Sequence, residues 1–166
     1  MATTAPLTSQ SDESEQPWAP LSHELFRWLW IASLVSNVGT WMQNVGAGWL
    51  MTILSPSPLY VSLIQTATSL PVFLLGVPAG AAADIVDRRR LLIFTQAFML
   101  ASAGLLAWLT AIGKASPIVL LLTTFALGIG STLNSPAWQA IVPELVPRKE
   151  LPQAISLNSV SFNLAR

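Results

Sequence analysis

The stretch from Gly80 to Arg90, G-A-A-A-D-I-V-D-R-R-R, sets an acid and three arginines between two long apolar runs. Carboxylates beside guanidinium groups can pair or accept hydrogen bonds from amide N–H groups. Asp84 and Arg88 stand four apart, the spacing at which they would pair if one helix carried both. At a helix end, Asp84 could instead accept from the N-terminal amides of another helix and so hold one conformation. A solvated charge cluster would account equally for the composition.

Two further sets of polar residues fall at helical spacing. At 100° per residue, Ser33, Asn37, Thr40 and Asn44 lie within about 60° of one another, with Ser36 and Gly48 alongside. Thr124, Gly128, Ser131 and Ser135 share a second face, with Gln139 a turn further on. Surrounded by lipid, such groups would lack partners, so each face is expected to meet other helices or a water-filled cavity. These eight residues are the candidates for lining a substrate path; interhelical hydrogen bonding is the alternative. A third stripe, Ser62, Thr66, Ser69, Gly76, Gly80 and Asp84, is read as helix packing through small residues. Trp41 and Trp138 could contact an aromatic ligand or be structural.

Catalytic chemistry has little to build on. The chain holds no cysteine and a single histidine, His23, beside Glu24. Without a metal-ligand cluster, His23 is read as interfacial or solvated. No catalytic residue, metal site or cofactor is expected, and the protein is not expected to be an enzyme. Eight basic residues balance eight acids, so nothing points to nucleic acid.

The elements that position these residues follow from composition: 52% of residues are hydrophobic and only 10% charged. Residues 1–20, rich in Ser, Thr and Pro, are expected to be a disordered tail. Apolar runs at about 28–50, 60–83, 91–112 and 118–141 are each near or above the ~20 residues that cross ~30 Å of hydrocarbon. The expected fold is therefore an all-α polytopic transmembrane helical bundle, with lipid as its first partner. A fifth run, from about residue 154, stops at Arg166 before it could cross, so a longer protein is expected. Arg27, Arg88, Arg89, Arg90, Arg148, Lys149 and Arg166 on the inside, against Lys114 outside, would satisfy the positive-inside rule with a cytoplasmic N-terminus. The turns S-P-S-P (55–58) and G-K-A-S-P (113–117) are short and proline-punctuated, as connections between antiparallel helices should be. Pro71 and Pro78 are expected to bend the second span. The third span, nearly all apolar, is expected to face lipid.

With these segments in view, the chain resembles the major facilitator superfamily. Gly80, Asp84, Arg88 and Arg89 match its signature G-x-x-x-D-x-x-x-R-R between the second and third helices. Further likeness lies in S-N-V-G-T-W-M-Q (36–43), L-P-V-F-L-L-G-V-P-A-G (70–80), A-D-I-V-D-R-R-R-L-L (83–92) and N-S-P-A-W-Q-A-I-V-P-E-L-V-P (134–147). These segments are similar to the bacterial branch related to enterobactin exporters, the transmembrane secretion effectors. The resemblance implies the first four helices and the start of the fifth of a twelve-helix fold. Its two six-helix halves would rock about a central site.

The same resemblance implies a secondary active transporter of the bacterial inner membrane that exports a small amphipathic molecule, present here as an incomplete fragment. Gly80, Asp84, Arg88 and Arg89 would form a conformational latch, and the polar faces of the first and fourth helices would line the cavity. Asp87 replaces the signature's common glycine, and Thr124 stands where many proton-driven members carry a buried arginine. A proton is the candidate coupling ion, yet no ionisable side chain lies deep in the four spans. Its carrier would be Asp84 near the membrane edge or a carboxylate outside this stretch. A stand-alone small oligomeric membrane protein, or a non-transporting assembly factor, is the alternative.

Overall fold

The structure, a computed structural model, describes residues 16–166. Most of the tail expected to be disordered lies outside the described residues; within it, a 3-10 turn at Ala19–Ser22 opens the described helices, with Pro20 buried. Five α-helices follow: α1 (Glu24–Leu54), α2 (Pro58–Ile85), α3 (Arg88–Ala111), α4 (Pro117–Leu145) and α5 (Leu151–Ala165). A second 3-10 turn, Arg148–Glu150, precedes α5. Among the described residues there is no strand, and the fold is the all-α bundle that the apolar runs imply.

Three helices, α2, α3 and α4, are long and apolar enough to cross a membrane. Four spans were expected. The difference is α1: its 31 residues are ample in length, but Asn37, Gln43, Asn44 and the hydroxyls between them dilute its hydropathy. The residues that mark α1 as interesting are those that weaken it as a span.

Each boundary has a local cause. Pro58 begins α2 where a missing N–H costs nothing. α2 then runs unbroken through Pro71 and Pro78 to Ile85. It stops at Val86, and Asp87 caps α3 by accepting from the Arg90 backbone N–H at 2.9 Å. Three arginines in a first turn oppose the helix dipole, and the Asp87 carboxylate supplies the compensating negative charge. α3 ends at Ala111, and Gly113 just beyond it has a left-handed φ of 70°. There the Lys114 N–H returns to the Leu109 carbonyl at 2.9 Å and the Gly113 N–H to Thr110 at 3.1 Å, closing the helix end.

The described residues form two compact units: residues 42–141, and residues 16–41 together with 142–166. In the first, an apolar cluster of Ala47, Met51, Ile64, Leu106 and Leu120 joins α1, α2, α3 and α4, with Leu50, Leu54 and Tyr60 packed against it. A smaller cluster, Ala83, Leu91 and Ala137, joins α2, α3 and α4 near the Val86–Asp87 turn. In the second unit Phe26, Val142, Val146, Ala154 and Leu157 are buried.

The buried face of α2 corrects the sequence reading. Ile64, Ala67, Pro71, Ala79 and Ala83 are buried, whereas Ser62, Thr66, Ser69, Gly76 and Asp84 are exposed. Ser62 and Ser69 instead donate to carbonyls of their own helix, at Leu59 and Gln65. Small hydroxyl residues can satisfy themselves in this way, so their spacing does not identify the packed face. α3 is mostly exposed, and it turns Leu91, Thr95, Ser102 and Leu106 inward.

Candidate functional site

The unit of residues 42–141 holds the signature cluster. Asp84 lies exposed in the last turn of α2. Because α2 ends at Ile85 and α3 begins at Arg88, no single helix carries Asp84 and Arg88. The i, i+4 pairing geometry is therefore not available to them. The half-buried Arg88 instead donates from Nη1 to the Ala140 carbonyl of α4 at 3.2 Å. This ties the start of α3 to α4 by a charge-assisted hydrogen bond. Gly80 is half-buried and Arg89 exposed, which leaves Asp84 and Arg89 open to a further partner.

Two turns further along α3 from Arg88, Thr95 is fully buried. Its Oγ1 donates to Asn134 Oδ1 at 3.1 Å, and Gln96 Nε2 donates to the same oxygen at 3.4 Å. Asn134 thus joins α3 to α4 through one carboxamide oxygen.

The α4 face expected to line a path divides. Thr124 and Gly128 are buried, while Ser131 and Ser135 are exposed. A Cβ added at Gly128 would lie 2.9 Å from Pro71 Cγ and 3.2 Å from the Ala67 carbonyl oxygen, so this glycine marks where α4 and α2 touch. At Gly130 a Cβ would collide with Met99 of α3. Thr124 Oγ1 is buried and makes no hydrogen bond. On α1 within the same unit, Asn44 is exposed.

The other unit carries the remaining α1 candidates, and here the stripe makes contacts. His23 Nε2 lies 2.9 Å from Glu150 Oε2. Trp30 Nε1 donates to the Leu157 carbonyl at 3.0 Å, and Asn37 Nδ2 donates to the buried Ser161 Oγ at 3.5 Å. His23, Trp30 and Asn37 are successively seven residues apart, and their partners Glu150, Leu157 and Ser161 rise in the same order through the 3-10 turn and α5, so α1 and α5 run parallel along a polar seam. Thr40 donates to its own helix at Ser36, and Ser33 is half-buried. His23 is therefore not merely solvated: the mostly buried Glu150 carboxylate engages it.

At the far end of this seam Trp41 meets Phe162 edge-on, with ring centroids 6.4 Å apart. The Arg166 guanidinium lies over the Trp41 ring, 5.5 Å from its centroid. α5 carries Arg166 about 22 Å from the turn that holds Arg148 and Lys149, at 1.5 Å per residue. A count of charges along the sequence cannot see that a helix separates them. Among the described residues, no group of three or more His, Asp or Glu side chains could hold a metal ion.

Comparison with known proteins fits this arrangement. A family profile described as transmembrane secretion effector matches residues 15–166. The staphyloferrin A transporter of Staphylococcus aureus is 30% identical over 141 residues, covering 84% of this chain and 36% of that protein. The macrolide efflux protein A of Streptococcus pyogenes is 25% identical over 142 residues, 82% of this chain and 35% of that protein. The MFS-type transporter YfiS of Bacillus subtilis is 25% identical over 133 residues, 80% of this chain and 31% of its own length. The chain thus spans about a third of the length of these relatives. No solved structure matches it significantly.

Proposed function

The chain belongs to the transmembrane secretion effector family of the major facilitator superfamily, and from that premise we propose that it forms part of a secondary active transporter that exports a small amphipathic molecule by alternating access. The observation that carries this reading is the exposure of Asn44, Ser131 and Ser135 on long helices of an otherwise apolar unit. Ser135 accepts from Gln139 Nε2 at 3.2 Å; the remaining polar capacity of this surface would go unmet in hydrocarbon, so the reading gives it water or cargo. The relatives named for staphyloferrin A transport and macrolide efflux support export of organic molecules. They support transport rather than catalysis. The proposed setting is the bacterial inner membrane, with the N-terminus, Arg27 and the Arg88–Arg90 turn on the cytoplasmic side.

Within this reading Gly80, Asp84, Arg88 and Arg89 form a conformational latch. Arg88 holds the start of α3 against α4, while the exposed Asp84 accepts hydrogen bonds from the N-terminal amides of another helix in one of the two states. Asp84 at the membrane edge is also a candidate, among the described residues, to carry a coupling proton.

Export from bacteria that express the gene from its own full reading frame tests the proposal. Cells loaded with a labelled macrolide should lose it faster than cells without the gene. Asp84→Asn should slow the loss about tenfold, the scale of one charge-assisted hydrogen bond. Equal retention with and without the gene, across macrolides and other amphipathic probes, would remove the transport reading.

A further inference from the structure

Arg90 lies outside the signature and outside the polar stripes, and no contact in the fold accounts for its charge. Its backbone N–H closes the Asp87 cap. Its side chain, like that of Arg89, is exposed and makes no ion pair or hydrogen bond among the described residues. Asp87 is engaged by that cap, and Arg88 is held at the Ala140 carbonyl.

α3 is long and apolar enough to cross a membrane, so Arg89 and Arg90 in its first turn stand at the edge of the hydrocarbon. Their long side chains can carry the guanidinium groups out to the headgroups. Further along the helix the same surface is apolar. At 100° per residue Arg90, Phe94, Ala97 and Ala101 lie within about 60° of one another, with Arg89 and Ile93 along one side. All of these are exposed, while the buried residues of α3, Leu91, Thr95, Ser102 and Leu106, lie on the opposite side.

The exposed face therefore carries two uncompensated cations at one end and an apolar strip beyond them. From Arg90 to Ala101 the strip runs about 16 Å at 1.5 Å per residue, close to half of the ~30 Å hydrocarbon core. The molecule that complements it has an oxyanion at one end and a hydrocarbon body as deep as one leaflet. Guanidinium groups take phosphate oxygens two donors at a time, and each basic residue near an anionic membrane surface adds to the attraction. A zwitterionic headgroup brings a cation of its own to this pair of arginines, whereas an anionic headgroup brings only the charge they lack.

We propose that this face of α3 binds one anionic phospholipid, with the phosphate on Arg89 and Arg90 and an acyl chain along Phe94, Ala97 and Ala101. The site depends on α3 crossing the membrane and holds whether or not the protein exports anything.

The test uses the protein expressed from its full reading frame, purified in a mild detergent and offered equal amounts of phosphatidylglycerol and phosphatidylcholine with identical acyl chains. Native mass spectrometry counts the lipid retained. One phosphatidylglycerol should be kept in clear preference to phosphatidylcholine. Arg90→Gln should lower its retention about fivefold, the scale of one basic residue at an anionic membrane surface, while Arg90→Lys keeps most of it. Lys114→Gln removes an exposed cation from the turn at the other end of α3 and should leave retention unchanged. Phe94→Ala should weaken retention, and excess glycerol 1-phosphate should not displace the lipid. Circular dichroism and monodisperse elution establish that each variant is folded.

Equal retention of the two lipids, the result expected if another helix covers this face, would overturn the proposal. So would full retention by a folded Arg90→Gln variant, or displacement by glycerol 1-phosphate, which would assign the arginines to a soluble anion. Equal losses from Lys114→Gln and Arg90→Gln would reduce the effect to diffuse charge attraction and remove the site.

Discussion

The two compact units solve the problem of packing in lipid by different means. In residues 42–141, α2, α3 and α4 meet through small residues and backbone: Gly128 admits Pro71, and Gly130 admits Met99. Side-chain bonds between these helices gather at Asn134, with Thr95 and Gln96, and at Arg88, with the Ala140 carbonyl. In the unit built from residues 16–41 and 142–166, α1 and α5 are instead joined by a ladder of polar and aromatic contacts from His23 to Trp41. Lipid tails are as apolar as leucine, so hydrophobicity does little to drive helices together. What remains is close packing or hydrogen bonding, and each unit leans on one of these. The first should be sensitive to volume and the second to polarity.

The sharpest way to break this contrast is to add volume at Gly128. Gly128→Val should destabilise by about 1–3 kcal/mol, because the nearest atoms include backbone oxygens that cannot rotate away. Gly39→Ala, with nothing within 4 Å of the new Cβ, should leave stability unchanged or slightly raised. Thermal unfolding in detergent would compare the two, and equal effects would end the claim of volume sensitivity.

Next in size is the cap. Asp87→Ala should cost about 1 kcal/mol and fray the first turn of α3, seen as faster amide exchange at Arg90. Trp30→Phe keeps an aromatic but smaller ring and removes the N–H that reaches the Leu157 carbonyl. It should cost about 0.5–1.5 kcal/mol, and a neutral result would count against the polar seam. The smallest effect belongs to Thr95→Val, which preserves shape and deletes the donor to Asn134. About 0.6 kcal/mol is expected, since interhelical hydrogen bonds in membranes average that much.

Much of this arrangement was legible in the sequence. Apolar runs bounded by arginines and by Ser-Pro turns place every helix to within a few residues, and the signature from Gly80 to Arg89 points to the family. What escaped is the choice of partner. A polar stripe in a membrane helix says that something must satisfy it, yet Asn37 meets Ser161 whereas Asn44 stays exposed, and both share one face by spacing. Periodicity assigns residues to faces and says nothing of what lies opposite. The α2 stripe misled for a related reason, since serines and threonines that bond their own helix carry no packing information. Asp87 looked like a departure from the signature and proves to be the cap of α3, a role that the position ahead of three arginines could have suggested. The link between Arg166 and Trp41 joins residues 125 positions apart, and no local pattern announces it.

Because the chain has no cysteine, single cysteines can report directly on what each face meets. Asn44→Cys and Ser135→Cys, compared with Leu100→Cys on the apolar surface of α3, should be labelled by a membrane-impermeant maleimide in sealed or permeabilised vesicles. The account predicts fast labelling at positions 44 and 135 and almost none at position 100. Labelling at position 100 as fast as at the polar positions, or none at either polar position, would contradict the claim that these faces line a path for cargo.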